Sequence, residues 1–254
     1  MISNTRQQAI LAYVNEEGSA SIRQLSDMLA VSEATVRRDL DDLAAAGLIN
    51  RTHGGAMRVS GTSFERKHSE KMGLMLEEKR KIAMKAASLV RNGDSVFLDS
   101  GTTTFFVARS LAHHTDLTVI TNNLEVASSV EFHPSSSLIV TGGVRRDNYS
   151  VLVGSLTEDT IKSLHADICF LGCDAVDPEQ GVFNTNYLEL GIKKQIVECG
   201  RLVVLVADHS KFQQKALTKV CDLSDLDVLI TDSGLDSGTV EACGQRINTV
   251  YITN

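Results

Sequence analysis

Proline is scarce in this chain, at two in 254 residues, and no stretch approaches the roughly 18 consecutive apolar residues that a membrane-spanning helix needs. With 43% apolar and 22% charged residues, the lack of proline excludes collagen-like, disordered and low-complexity classes. The missing apolar run excludes a helical membrane span. The opening MISNTRQQAILAYVNEEG also lacks an apolar segment followed by a small-residue cleavage site. A soluble protein that stays in the cytoplasm, with no membrane partner, is expected. Cys169, Cys173, Cys199, Cys221 and Cys243 are odd in number, show no C-x-x-C spacing and have no histidine cluster beside them. They read as buried thiols of a reducing compartment, so no disulfide framework, metal site or cofactor is expected.

The net charge of −7 argues at first against a nucleic-acid partner. Its distribution reverses that inference. Residues 1–81 carry 12 Lys+Arg and 11 Asp+Glu, whereas the remainder carries 13 and 21. A near-neutral head on an acidic body fits two unequal domains with different partners.

In the head, Asn4 or Thr5 can cap a first helix with Ile10, Leu11 and Val14 inward, ending at Gly18. Ser19 or Ser21 caps a second helix with Ile22, Leu25, Met28 and Leu29, and after the Ala30-Val31 turn Ser32 caps a third. Helices joined so tightly are a helix-turn-helix. The third helix buries Val36, Leu40 and Leu43, which puts Arg38 on the opposite face with Ala34, Thr35 and Arg37 around it near the N-terminus. That end of a recognition helix meets base edges in the major groove of double-stranded DNA. The following LINRTHGGAMRV reads as a β-hairpin wing whose Arg51, His53 and Arg58 reach phosphates or the minor groove. An Arg-Arg pair by itself is more often a solvated helix face. Joined to three capped helices, a tight turn and a basic hairpin, it points to DNA.

VSEATVRRDLDDLAAAGLINRTHGGA closely resembles the winged-helix signature of the DeoR family of bacterial transcription regulators. The expected organisation is a winged helix-turn-helix over 1–58, a linker over 59–76, and an α/β effector-sensing and oligomerisation domain over 77–254.

Glu77 to Val90 is an amphipathic helix with Ile82, Ala86 and Leu89 inward. Beyond it, short apolar runs (SVFLD, LTVIT, SLIVT, DICFLG, LVVLVAD, DVLIT, TVYIT) alternate with helical stretches. This is the pattern of a mostly parallel sheet covered on both faces. Small and polar residues gather at the strand exits, where open α/β sheets bind ligands: Asp99, Asn122, Gly142, Gly143 and Asp174. Ser100, Gly101, Thr102, Thr103 and Thr104 supply hydroxyls and backbone N–H groups at a helix start, suited to a phosphate or simply capping the helix. In TGGVRRD, Arg145 or Arg146 could face a second anion. Glu189 and Lys193 are four apart on one helix face, where a surface salt bridge is the default reading. His113, His114, His133 and His165 have no partner spacing and read as structural or exposed.

The body from about Glu77 to Thr231 is similar to the DeoR-family sensor domain, whose fold is related to ribose-5-phosphate isomerase. That resemblance implies that LDSGTTT, VITNN, TGGVRR, FLGCDAV, the Glu189/Lys193 pair and Lys211 of ADHSKF surround a phosphorylated sugar or polyol. The chain departs from the family pattern at Gly172-Cys173-Asp174-Ala175 and at FNTNYLE, which ends in Glu189, and this puts the identity of the effector in doubt. The leading reading is therefore an effector-controlled repressor of a carbohydrate or polyol operon. A homo-oligomer is expected, because one recognition helix reads only a few base pairs. The rival is a sugar-phosphate isomerase-like enzyme, since Asp99, Asp174, Glu189 and Lys193 are acid/base types. An isomerase, however, has no use for the head. A third reading leaves the body as an oligomerisation module alone.

Overall fold

A computed structural model describes residues 5–46, 48–58, 62, 65–66, 68–146 and 149–254, except the side chains of Asn15 and Gln213. The chain divides into two compact units, Met1–Gly61 and Thr62–Asn254.

The first unit runs α1 (Thr5–Glu17), β1 (Ser19–Ser21), α2 (Ile22–Leu29), α3 (Glu33–Ala45), β2 (Ile49–Thr52) and β3 (Gly55–Arg58). Of the candidate caps, Ser21 closes α2: its Oγ accepts from Gln24 N (3.1 Å) while Gln24 Oε1 accepts from Ser21 N (2.8 Å). Ala30 stands at φ 53° and turns the chain to Ser32, whose Oγ accepts from Thr35 N. Asn4, the other candidate for α1, lies outside the described residues. Ile10, Val14, Ile22, Leu25, Val36, Leu40 and Leu43 close one core with Ile49 and Ala56 of the hairpin. Met28, expected inward, is exposed. The segment at Ser19 forms a third strand against β3, and the close approach requires glycine there: a Cβ on Gly55 would lie 2.0 Å from the Ala20 carbonyl.

The second unit runs α4 (His68–Gly73), α5 (Leu76–Ala87), β4 (Ser95–Leu98), α6 (Thr102–Ser110), β5 (Thr118–Thr121), α7 (Leu124–Ser129) and β6 (Ser137–Val140). It continues with β7 (Val144–Arg145), β8 (Leu152–Val153), α8 (Ser155–Lys162), β9 (Ile168–Leu171), β10 (Ala175–Asp177), β11 (Gly181–Asn184) and α9 (Leu190–Cys199). It ends with β12 (Val203–Val206), β13 (Thr218–Cys221), β14 (Val228–Asp232), α10 (Ser237–Gly244) and β15 (Thr249–Thr253). Seven strands pair in parallel in the order β15-β14-β12-β9-β4-β5-β6. The near-continuous apolar strands follow from two cores, one on each face of the sheet. An antiparallel sheet β10-β11-β13 lies beyond them.

Strand order reverses between β4 and β9, so the loops after Leu98 and Leu171 diverge and leave a crevice at the carboxyl ends. The stretch expected as linker, 59–76, carries α4 within the second unit; its apolar residues are too few to show periodicity, and none of the helix is buried. The amphipathic helix α5 ends at Ala87, so Leu89 lies past its last turn. No helix among the described residues is long and apolar enough to cross a membrane.

Candidate functional site

On α3, Ala34, Arg37 and Arg38 are exposed at the N-terminal end opposite the buried Val36, Leu40 and Leu43. Arg37 pairs with Glu33 at 3.1 Å. Thr35 Oγ1 is 2.9 Å from Ser32 Oγ, so both hydroxyls are engaged in the cap. Asp39, which the sequence reading passed over, is turned inward and holds Arg6 and Gln7 of α1. On the hairpin, His53 is exposed at the turn and Arg58 is half-buried at the end of β3. Arg51 is already committed: its Nε donates to Asp41 (2.8 Å) and Nη1 to the Gly55 carbonyl (2.8 Å).

In the second unit, the crevice at the strand reversal holds a cavity of about 50 Å³, bordered by the start of α6, the loop after β9, α9, α4 and Tyr149. Gly101 is the N-cap of α6 and provides no side-chain cap, so the first N–H groups of that helix are left facing Ser100, Thr102 and Thr103 at the cavity wall. Uncapped N–H groups at the positive end of a helix are an anion site. Gly101 itself has φ −72°, which any residue adopts, and a Cβ there would make ordinary contacts with Thr104 Oγ1 (3.4 Å) and Gly172 Cα (3.6 Å).

Buried ion pairs surround this cradle. Asp99, at the end of β4, accepts from Gly172 N (2.9 Å) across the reversal and from Lys193 Nζ, which also donates to the Gly172 carbonyl (3.0 Å). Burial alone would push the Lys193 ammonium down, but Asp99 and Glu189 outweigh it and hold its pKa above the ordinary lysine range. Glu189 and Lys193, read as a surface bridge, are instead both buried and pair elsewhere, Glu189 with Arg146 and Lys193 with Asp99. Burial raises the Glu189 carboxyl against the opposing pull of Lys193 and Arg146. Asp174 accepts from Lys71 Nζ (2.8 Å) and Thr185 N (2.9 Å). Burial pushes the Asp174 carboxyl up, yet Lys71 and Lys211 overcome this and hold it below the usual range. Burial drives the Cys173 thiol up to about 12, so it is a neutral part of the wall.

Of the expected effector residues, Ser100, Gly101, Thr102, Thr103, Asp174, Glu189, Lys193 and Lys211 line this cavity. Others turn away. The Thr104 hydroxyl bonds back to the carbonyls of Asp99 (2.5 Å) and Gly101 (2.7 Å), as a helical threonine can. Asn122 braces β8, its Nδ2 donating to the Leu152 carbonyl, while neighbouring Asn123 caps α7 and reaches the Ser100 carbonyl. Gly142 and Gly143 shape a close turn around Thr157: a Cβ on Gly143 would lie 2.1 Å from Thr157 Oγ1. Arg145 is exposed, and its neighbour Arg146 points inward to Glu189 and Glu65 with its guanidinium 3.6 Å above the Tyr149 ring. Arg146 lies one residue past β7, whose two residues are both exposed, so only its tertiary pairing with Glu189 and Glu65 sets it apart from Arg145. Glu65, His68 and Lys71 also border the cavity although they fall in the stretch read as linker. No periodicity marks them.

These two units define a winged helix-turn-helix joined to an α/β ligand-sensing domain. Residues 6–62 match the DeoR-like helix-turn-helix domain and residues 75–233 the DeoR C terminal sensor domain. The chain belongs to the DeoR family, and it is a DNA-binding transcriptional regulator. It is 35% identical to an HTH-type transcriptional regulator of Bacillus subtilis, YulB, over 95% of this chain and 93% of that one. It is 35% identical to the glycerol-3-phosphate regulon repressor of Escherichia coli, over 92% of each, and 36% identical to the regulator GlpR of Haloferax volcanii, over 95% and 94%. The ribose 5-phosphate isomerase of Plasmodium falciparum superposes on 54% of this chain and 53% of its own, at 17% identity and a TM-score of 0.38.

Proposed function

We propose that this protein represses a carbohydrate or polyol operon in the cytoplasm and leaves its operator when a phosphorylated sugar or polyol enters the cavity at α6. The observation that carries this reading is the uncapped N-terminus of α6 facing a cavity lined by Lys71, Lys193 and Lys211. Backbone N–H groups and ammonium groups suit a phosphate, and the carboxylates of Asp174 and Glu189 suit the hydroxyls of a carbon chain. A relative of the same length and architecture represses the glycerol-3-phosphate regulon, which supports a small phosphorylated polyol as the ligand class.

In the head, Ala34, Arg37 and Arg38 take the base-edge positions, with Ser32 and Thr35 at the helix start. His53 and Arg58 take the phosphates flanking the wing, and Arg51 joins them once Asp41 releases it. The division proposed is a DNA-binding head over 1–58, a connecting stretch over 59–76, and a sensing and oligomerising body over 77–254. Two or more heads are needed to read an operator, and α5, with Met84 62% exposed, supplies an apolar contact between copies.

The protein turns nothing over in this reading. An isomerase needs an acid and a base free to exchange protons with the substrate, whereas Lys193 is held by Asp99 and Glu189 by Arg146. Fluorescence anisotropy on the DNA upstream of the protein's own gene, titrated with phosphorylated and free sugars, tests the function. Release by a phosphorylated compound and not by its free parent is expected. Operator binding indifferent to every phosphorylated compound contradicts it.

A further inference from the structure

The cavity already contains an anion. Glu65 Oε2 accepts from the Arg146 guanidinium and from Asn186 Nδ2 (3.2 Å), and its Oε1 lies 3.5 Å from Lys71 Nζ. A guanidinium, an ammonium and a side-chain amide converging on one carboxylate are the means by which proteins hold a ligand anion. Here that anion belongs to the chain itself.

Space and charge both require this carboxylate to yield. About 50 Å³ of cavity accommodates a few waters at most, against roughly 300 Å³ at the small end of ligand pockets. Glu65 and the α6 cradle border the same small cavity, so a phosphate on the cradle would stand close to a second negative charge. Of the cations at the site, Lys71 is held by Glu65 and Asp174, Arg146 by Glu65 and Glu189, and Lys193 by Asp99. Lys71 and Arg146 are therefore withheld from a phosphate until the Glu65 carboxylate withdraws.

Glu65 is the one placed to withdraw. Asp99 is fully buried in the sheet crevice, and Asp174 and Glu189 are fixed to β10 and α9 by neighbouring backbone. Glu65 precedes α4, a helix with no fully buried residue: Met72 packs partly buried against the core, and the other ties are polar, Lys71 to Asp174, His68 to Glu125 at 3.3 Å, and Lys79 Nζ to the Lys71 carbonyl. Segments with little apolar burial open at low cost.

We propose that Glu65 is a built-in competitor of the effector: its carboxylate occupies Arg146 and Lys71 in the free protein, and the effector phosphate displaces it from both. This inference rests on the sugar-phosphate reading above. Since Glu65 follows Gly61, the last residue of the first unit, by four positions, its displacement acts on the chain leading directly to the DNA-binding head.

Calorimetry of the full-length protein and its Glu65→Gln and Glu65→Ser variants with glycerol 3-phosphate, inorganic phosphate and glycerol tests the proposal. Removing an internal competitor raises the binding-competent fraction, so both variants are expected to bind the two phosphates about tenfold more tightly, with glycerol unaffected. Hydrogen exchange of the wild-type peptide carrying Glu65 and Arg66 is expected to speed up when glycerol 3-phosphate saturates. Wild-type binding of a phosphate with equal or weaker binding by the variants overturns the proposal and leaves the sensor reading standing. Exchange that is unchanged or slower in the ligand complex also overturns it. Failure of all three proteins to bind either phosphate overturns the sensor reading and this proposal together.

Discussion

Lys193 on α9 and Asp99 at the end of β4 form an ion pair whose side chains are 3% and 0% exposed. The pair spans the strand reversal, and the Lys193 ammonium also holds the Gly172 carbonyl, so one contact fixes both loops that open the crevice. Removing one partner of such a pair leaves the other as a buried uncompensated charge. Lys193→Met is therefore expected to lower unfolding stability by about 3 to 5 kcal/mol. Adding Asp99→Asn should recover part of that loss, because residues in one network do not act additively. Urea denaturation of the two single variants and the double variant checks this; additive losses would show that the contact stabilises little.

The two basic positions of the head differ in what they must give up. Arg38 is exposed on α3, whereas Arg51 is bonded to Asp41 and to the Gly55 carbonyl. Arg38→Ala is expected to weaken operator binding by roughly 1 to 3 kcal/mol and to relax base preference. Arg51→Ala should weaken operator and scrambled duplexes alike and reduce the salt slope, and Asp41→Asn should strengthen both by freeing Arg51. Anisotropy at two salt concentrations measures all three. Operator affinity unchanged in folded Arg38→Ala would remove α3 as the recognition helix.

Much of this was legible in the string because the signals are local. Caps, tight turns and helical spacing place Ser32, Val36 and Arg38 without reference to the rest of the chain. Apolar runs likewise mark the strands, and polar exits mark Ser100 to Thr103 and Asp174. What stayed hidden is set by tertiary contact. Asp39 looks like one more surface acid until Arg6 arrives from α1. The spacing of Glu189 and Lys193 suggests a surface bridge, and only packing of α9 against the sheet shows both to be buried. Glu65 and Lys71 sit in a stretch with no periodicity, since ion pairs and the single packed Met72, not a repeating apolar face, hold it in place. Thr104 and Asn122 carry the right chemistry, but the backbone claims them.

The two adjacent arginines of the β7 loop should separate cleanly. Arg146 stacks on Tyr149 and holds two acids, while Arg145 is exposed beside a wide surface depression. Arg146→Gln is expected to lower the melting temperature and weaken effector binding at least about tenfold, a loss of roughly 1.4 kcal/mol. Arg145→Gln should leave both close to wild type. Thermal shift with and without glycerol 3-phosphate distinguishes them, and equal effects would contradict the inward placement of Arg146.

Lys79 on α5 sets a pH dependence of known sign. Burial brings its pKa down to about 8, against the opposing pull of Asp208. Between that value and the unfolded value near 10.5, the unfolded chain holds the proton and the folded one has lost it. Stability from this group therefore rises with pH across that window and is at its lowest below pH 8. Relative to Lys79→Met, wild type should gain about 2 kcal/mol from pH 7 to pH 10. Parallel denaturation curves of the two proteins at both pH values make the comparison; a constant gap would show that Lys79 keeps its proton when folded.

The central claim is that the cavity at the α6 N-terminus takes a phosphorylated sugar or polyol as a signal. Calorimetry with a panel of phosphorylated sugars and polyols, glycerol 3-phosphate among them, and their free parents, followed by NMR of the recovered sugar phosphate, addresses it most directly. Backbone N–H groups and lysines matched to an anion lose most of their interaction with a neutral hydroxyl. Binding of a phosphorylated compound alone, recovered unchanged, is the predicted result. Equal affinity for it and its free parent, or a recovered compound that has been isomerised, would contradict the account.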